Sequence, residues 1–219
     1  MILSNTTESS QKAAEIIAAG GLVAYRTDTF YGLGADPLNP KAVSAIRTLK
    51  GREERKPILL LISDADQADR FIKDRSKVFA ALAEDFWPGP LTIVGVARQE
   101  LPEGLTVGTG SIGVRLPADD AVRSFLRACG GALTATSANL SGSAPARTPE
   151  QVAGYFPTGI DLIIDAGEVT ATLPSTVVDA REARPFLIRE GAITQSELES
   201  HCQHQEFRTG TEEAGERRK

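Results

Sequence analysis

The strongest constraint on the fold is an alternation. Short apolar runs recur along the chain, and through about residue 135 they are separated by segments with helical caps and helical spacing. The runs are Leu22–Tyr25, Ile58–Ile62, Leu91–Val96, Ile112–Leu116 and Ala132–Ala135, then Leu162–Ile164, Thr176–Val178 and Phe186–Ile188. Short apolar runs bounded by Gly, Pro and polar turns read as buried strands. Between them, Ser9–Ala19 reads as a helix capped by Ser9 or Ser10 and ended by Gly20. Asn39-Pro40 starts a second helix with Ala42, Val43, Ile46 and Leu49 on its buried face; Lys50-Gly51-Arg52 ends it. Asp64 caps a short helix to Phe71, and Lys77–Asp85 gives another. Asp119 or Asp120 caps a helix to about Cys129. Thr148-Pro149 opens a sixth helix, and a capping box over Thr194–Glu197 opens the last. Trp87-Pro88-Gly89-Pro90 is a rigid turn whose tryptophan can plug one end of the core. This pattern predicts one α/β domain over residues 1–200, a twisted open mixed sheet with flanking helices. From 201 to 219 the chain is polar without apolar period, so a disordered tail is expected.

Composition excludes several classes. A net charge of -5 over 219 residues argues against a protein that coats nucleic acid over a whole face, while leaving room for a local basic cleft. Cys129 and Cys202 are far apart and outside metal-like spacing, so neither a disulfide scaffold nor a zinc site is expected. The only histidines, His201 and His204, lie in the polar tail, so a His-based triad in the core is not expected. No Walker A sequence, no G-x-G-x-x-G and no serine-hydrolase elbow occurs. No basic segment followed by a long apolar one opens the chain, and no apolar run approaches the ~20 residues that span a bilayer. A cytoplasmic protein without membrane contact is expected.

Polar and cationic residues gather at element ends. The run Leu22–Tyr25 stops at Thr27-Asp28-Thr29, and Gly32 and Gly34 follow. Three short polar side chains at the end of a buried strand sit where α/β sheets place ligands, but they also suit a plain turn. Lys50 and Arg52 flank a glycine at a helix end. They complement the helix dipole there, or converge on a polyphosphate as point charge and planar fork. Arg115 lies in the apolar strand Ile112–Leu116. An arginine there faces water, pairs with a structural carboxylate, or receives a substrate carboxylate. Ser137 and Asn139 form a Ser-Ala-Asn turn after a buried strand, either as turn formers or as a cradle for phosphate or ribose oxygens. Ser175-Thr176 and Arg189 repeat the theme.

Six motifs in this order are highly specific together. They are Tyr25-Arg26-Thr27-Asp28-Thr29 with Tyr31-Gly32-Leu33-Gly34, Lys50-Gly51-Arg52, Trp87-Pro88-Gly89-Pro90-Leu91-Thr92, Val114-Arg115-Leu116-Pro117, Ser137-Ala138-Asn139-Leu140-Ser141-Gly142 and Ser175-Thr176-Val177-Val178-Asp179. Over roughly residues 9 to 200 the chain closely resembles the YrdC family. The resemblance implies a twisted open α/β sheet with a large concave basic cleft. It also implies L-threonylcarbamoyladenylate synthesis from L-threonine, bicarbonate and ATP, a nucleotidyl transfer that releases pyrophosphate. A downstream transferase would then place the threonylcarbamoyl group on tRNA adenosine, with possible direct contact to tRNA. By the same resemblance, Lys50 and Arg52 are catalytic and contact ATP together with Ser137, Asn139 and Arg189. Thr27, Arg115 and Ser175 contact threonine, with Arg115 as carboxylate clamp. Mg²⁺ is expected through the ATP phosphates rather than on a protein metal site.

Three departures from the family pattern stand out. Arg26 stands where many relatives have proline, and Leu61 where many have a histidine near the threonine side chain. The chain ends in a polar tail where some relatives carry a second domain, so it resembles the short, single-domain form. Two rival functions stay open on the sequence: a non-catalytic RNA-binding or ribosome-associated module, and a paralogue with another carboxylate substrate. The low aromatic content, 5%, counts against base stacking.

Overall fold

The structure, a computed structural model, describes residues 1–51, 57–201 and 207–209. Its elements in chain order are β1 (Ile2–Ser4), α1 (Thr7–Ala18), β2 (Val23–Arg26), β3 (Tyr31–Gly34), α2 (Pro40–Leu49), β4 (Leu60–Ile62), α3 (Lys77–Phe86), β5 (Leu91–Val96), α4 (Glu103–Thr106), β6 (Ser111–Arg115), α5 (Asp120–Ala128), β7 (Ala132–Thr134), β8 (Thr136–Ser137), α6 (Pro149–Tyr155), β9 (Leu162–Asp165), β10 (Thr176–Asp179), β11 (Phe186–Arg189), α7 (Gln195–His201) and β12 (Arg208–Thr209).

Local chemistry accounts for most helix starts. Asn39 Oδ1 accepts from the Lys41 and Ala42 amides, and Pro40 takes the first helical position of α2. Asp119 caps α5, whose Val122, Phe125 and Leu126 are buried. The first helix starts earlier than expected. Thr6 is its cap, and Ser9 completes a reciprocal capping box with it. Asp64 makes no side-chain cap; the segment it precedes, Ala65–Arg70, is a 3₁₀ turn, and the carboxylate instead pairs with Arg127.

The α/β class holds, but the single sheet becomes two mixed sheets. One runs β1-β9-β2-β3-β8 and the other β12-β11-β10-β5-β6-β4-β7. The chain steps from the larger sheet to the smaller between β7 and β8, at Ala135. Segment pattern shows which residues form strands; which strands pair is settled by contacts far apart in sequence, as when β5 pairs with β10 in parallel. The Gly32/Gly34 segment, whose glycines would also suit a turn, is a strand. It is β3, antiparallel to β2, with Arg26 opposite Tyr31 and Val23 opposite Gly34. The glycine at 34 is a packing requirement: a Cβ there would sit 2.8 Å from the Tyr25 ring.

The expectation of disorder from residue 201 onward fails at Phe207–Thr209. Phe207 is 3% exposed, and β12 pairs in parallel with β11. One buried aromatic in a polar stretch leaves no periodic signal. His204, Cys202 and residues 210–219 lie outside the described residues. His201 ends α7 with its ring against Phe86, at 5.0 Å between centroids. Trp87 is buried, stands edge-on to Phe79 and donates its indole N–H to the Leu91 carbonyl at 2.7 Å. Among the described residues no helix is long and apolar enough to cross a membrane.

Candidate functional site

A cavity of about 370 Å³ lies between the two sheets. The smaller sheet supplies the β2–β3 turn and β8; the larger supplies the ends of β4, β5, β6 and β11 and the approach to β10. Thr27, Arg115, Ser137, Ser175 and Arg189 all line it. These predicted residues, spread over more than half of the chain, therefore share one wall system.

Arg115 ends β6 and is 4% exposed. A buried guanidinium needs a partner, and Asp28 provides it. Nη1 donates to both Asp28 oxygens, at 2.7 and 2.8 Å, and Nη2 lies 3.5 Å from Thr29 Oγ1. Structural pairing and cavity exposure are thus combined in one side chain.

The Thr27 hydroxyl is the hub of the turn. It donates to the Phe30 carbonyl at 2.7 Å and accepts from the Thr29 and Phe30 amides, both at 3.1 Å. With one proton and two lone pairs, that hydroxyl is fully used within the turn. Thr29, its neighbour on the cavity wall, carries the hydroxyl that meets Arg115.

On the opposite flank, Ser175 Oγ lies 2.9 Å from Thr92 Oγ1, and Arg189 Nη2 donates to the Ser175 carbonyl at 2.9 Å. Burial, with Arg115 nearby, lowers the Arg189 pKa, yet a guanidinium stays charged at neutral pH. Among the described residues Arg189 has no carboxylate partner. The loop after β11 presses directly on Ser175: a Cβ on Gly191 would meet the Pro174 carbonyl oxygen at 2.3 Å.

Lys50 follows α2 and is 3% exposed. Its Nζ donates to the Ser137 carbonyl and lies 3.4 Å from Asn139 Oδ1. Asn139 Nδ2 in turn holds the Leu140 and Ser143 carbonyls at 3.1 and 2.6 Å. Lys50, Ser137 and Asn139 are therefore one group, with Lys50 and Asn139 behind Ser137. Arg52 lies outside the described residues.

The sequence marks Asp28 and Thr29 only as part of a polar strand end and gives Thr92 no role, although all three stand in the quoted motifs. The apolar wall, including Phe30, Leu59, Pro145, Pro174 and Ile188, carried no signal. Of the two substituted positions, Leu61 is on the wall, in register with Arg115, whereas Arg26 faces Asp119 at 3.6 Å beside Tyr25 and Phe125. Among the described residues no three His, Cys, Asp or Glu side chains group to hold a metal ion.

A profile of the Sua5/YciO/YrdC family, described as telomere recombination, matches residues 15–191. A threonylcarbamoyl-AMP synthase of Pyrococcus abyssi is 36% identical over 187 residues, 85% of this chain and 55% of the relative. The chain thus spans about half the length of that relative. A threonylcarbamoyl-AMP synthase of Halorhodospira halophila is 36% identical over 77% of this chain and 88% of its own. Among solved structures, P. abyssi Sua5 complexed with L-threonine superposes with a TM-score of 0.89 at 33% identity, covering 94% of this chain and 62% of that one. Escherichia coli YciO gives 0.79 at 25% identity, covering 88% and 96%.

Proposed function

The chain belongs to the Sua5/YciO/YrdC family, and from that premise we propose that it is a threonylcarbamoyl-AMP synthase. It joins L-threonine, bicarbonate and ATP, releases pyrophosphate, and feeds a downstream transferase that modifies tRNA adenosine. The observation that carries this reading is the cavity itself: two guanidinium groups and several hydroxyls, with no imidazole or carboxylate on its described wall. Such a wall suits substrates that all carry anionic groups, and chemistry that needs charge placed rather than protons moved.

The steps balance without a protein base. The threonine ammonium gives up a proton, bicarbonate takes one up and dehydrates to CO₂ and water, and the neutral amine adds to that CO₂, forming the C–N bond and losing a second proton to solvent. An oxygen of the new carboxylate then attacks the α-phosphorus as the bond to the pyrophosphate oxygen breaks. Arg115 holds the threonine carboxylate; Thr29 and Ser175 frame the amino acid around it, and Thr27 fixes the turn that carries Thr29. Arg189 on the wall, and Lys50 through the Ser137–Asn139 turn behind it, serve the phosphates, and Arg52, outside the described residues, is assigned to them by the family resemblance. Leu61 places an apolar surface beside the threonine site. Mg²⁺ bound to ATP supplies charge neutralisation on the phosphates. No carboxylate on the described wall competes to ligate it, and Asp28, behind the wall, is engaged by Arg115.

The test is pyrophosphate release from ATP with bicarbonate present. Release that needs L-threonine and is not supported by L-serine is expected. Release with a different amino acid assigns another substrate. No release by the folded protein, together with RNA affinity that falls steeply with salt, overturns the enzyme reading in favour of a binding module.

A further inference from the structure

We propose that Asp28 is a positioning residue, which sets the orientation of Arg115 and so the affinity for the amino-acid substrate. This rests on the synthase reading of the same cavity. Asp28 itself is not on the cavity wall; its neighbours Thr27 and Thr29 are. Its carboxylate stands behind Arg115 and grips one nitrogen only, with both oxygens on Nη1. That differs from the parallel fork in which two guanidinium nitrogens meet two oxygens. The grip leaves the other edge, Nε and Nη2, for a ligand. Nη2 has only the long contact to Thr29 Oγ1, and Nε has no partner among the described residues without being sealed from solvent. That edge is itself a two-donor fork of the shape a substrate carboxylate accepts.

The carboxylate is well placed to hold this orientation. Asp28 sits in a turn locked by the Thr27 hydroxyl and by the Thr27 amide on the Phe30 carbonyl at 3.1 Å. Arg115 is carried by the larger sheet and Asp28 by the hairpin of the smaller one, so their pair also ties the two walls of the cavity.

The pairing gives the two cavity guanidiniums different characters. Arg115 with Asp28 is neutral as a unit and acts through directed N–H groups. Arg189 has no carboxylate among the described residues and acts through charge. The distinction has a sign that can be measured. Were Arg115 a simple point of positive charge, Asp28→Asn would strengthen anion binding by removing a nearby negative charge. If Asp28 positions Arg115, the same substitution weakens threonine binding.

The experiment compares the wild-type full chain with Asp28→Asn, Asp28→Glu, Arg115→Ala and the Asp28→Asn/Arg115→Ala double variant. It reads pyrophosphate release at varied threonine and varied ATP, and threonine affinity by calorimetry without ATP. Asp28→Asn is expected to raise the threonine KM and Kd about tenfold, the scale of one charge-assisted hydrogen bond, with the ATP KM changed less than about twofold. Asp28→Glu, which keeps the charge, recovers part of the loss. In the Arg115→Ala background the Asn substitution has no further effect. An unchanged or lowered threonine KM in Asp28→Asn, or additive effects in the double variant, overturns the proposal. Should Asp28→Asn not fold, an Asp28→Glu variant that folds and shows no threonine-specific shift does the same. A wild-type chain without threonine-dependent release overturns the synthase reading and this proposal with it. A wild-type chain that is active beside an unaffected Asp28→Asn overturns this proposal alone.

Discussion

Replacing Thr134 with valine will weaken the junction of the two sheets. Thr134 ends β7, one residue before the chain steps to the smaller sheet, and it is fully buried. Its hydroxyl donates to the Leu33 carbonyl at 3.1 Å and accepts from the Ala35 amide at 2.9 Å. Its backbone N–H donates to the Ala35 carbonyl at 3.1 Å, and its own carbonyl accepts from the Tyr25 hydroxyl at 3.2 Å. Valine has nearly the same shape, so no cavity opens and no clash arises. Two hydrogen bonds are lost: that to the Leu33 carbonyl costs about 1 kcal/mol, and losing the other leaves a buried Ala35 N–H without its partner, about 2 kcal/mol more. At roughly 2–4 °C per kcal/mol for a chain of this size, a loss of about 3 kcal/mol lowers Tm by about 6–12 °C. Thr134→Ser keeps the hydroxyl and loses one buried methyl, so it costs about 1 kcal/mol. Urea titration followed by the fluorescence of Trp87, the only tryptophan, reads both variants. Because the cavity lies between the sheets, Thr134→Val should also raise the KM for threonine and for ATP together. A Thr134→Ser protein as unstable as Thr134→Val would show that the hydroxyl does not hold the junction, and would refute the reasoning.

Lys50→Met removes the cation held by the Ser137–Asn139 turn; kcat is expected to fall about 10²-fold while calorimetric threonine affinity is kept, and an unchanged kcat would take Lys50 out of the chemistry. Gly34→Ala drives a Cβ to 2.8 Å from the Tyr25 ring and is expected to cost about 1–3 kcal/mol in urea titration; a loss below about 0.5 kcal/mol would mean the ring moves aside freely. Burial pushes the Cys129 thiol up to about 12 from its ordinary value of 9.0, so in a Cys202→Ser background iodoacetamide at pH 8 should leave the native protein unmodified. The native state then holds that proton where the unfolded chain has lost it. Stability from this group is full below pH 9 and declines as pH rises toward 12, and the buried Tyr25 hydroxyl, also raised by desolvation, acts in the same direction. A urea midpoint that stays constant from pH 8.5 to 11 would contradict this.

The elements legible in the sequence were those whose signal is local. Asn39-Pro40 and Asp119 announce α2 and α5 by cap chemistry, and Leu91–Val96 is apolar enough to be β5 on its own. What was hidden depends on partners. Tyr31–Gly34 would also suit a turn because of its glycines, and it is a strand because Val23–Arg26 pairs with it and Tyr25 needs the space at Gly34. β1 and β12 are short and exist by pairing with β9 and β11. The same division runs through the site. Thr27, Arg115, Ser137, Ser175 and Arg189 could be singled out because polar or cationic residues at strand ends are locally unusual. That Arg115 is held by Asp28, 87 positions away, or that Lys50 reaches Asn139, 89 positions away, is a property of the fold alone.

This division has a chemical counterpart in the proposed reaction. The nucleophile is a carboxylate made from the substrates, already ionised at neutral pH, and the leaving group is pyrophosphate, which departs as an anion. Neither event asks the protein for a base or an acid, so the lack of an imidazole on the described wall costs nothing. What the protein must do is hold anions together against their repulsion. Uncompensated positive charge meets the part of this task that is long-range, and Arg189 is suited to it. Fixed direction meets the other part, because a misoriented carboxylate presents the amine and the new carboxylate to the wrong face of the α-phosphorus. A guanidinium free to rotate would supply charge without direction. Arg115, buried and held on one nitrogen by Asp28, supplies direction with its charge already cancelled. A site of this kind separates the two requirements between two arginines. Raising salt should therefore weaken nucleotide binding more steeply than threonine binding.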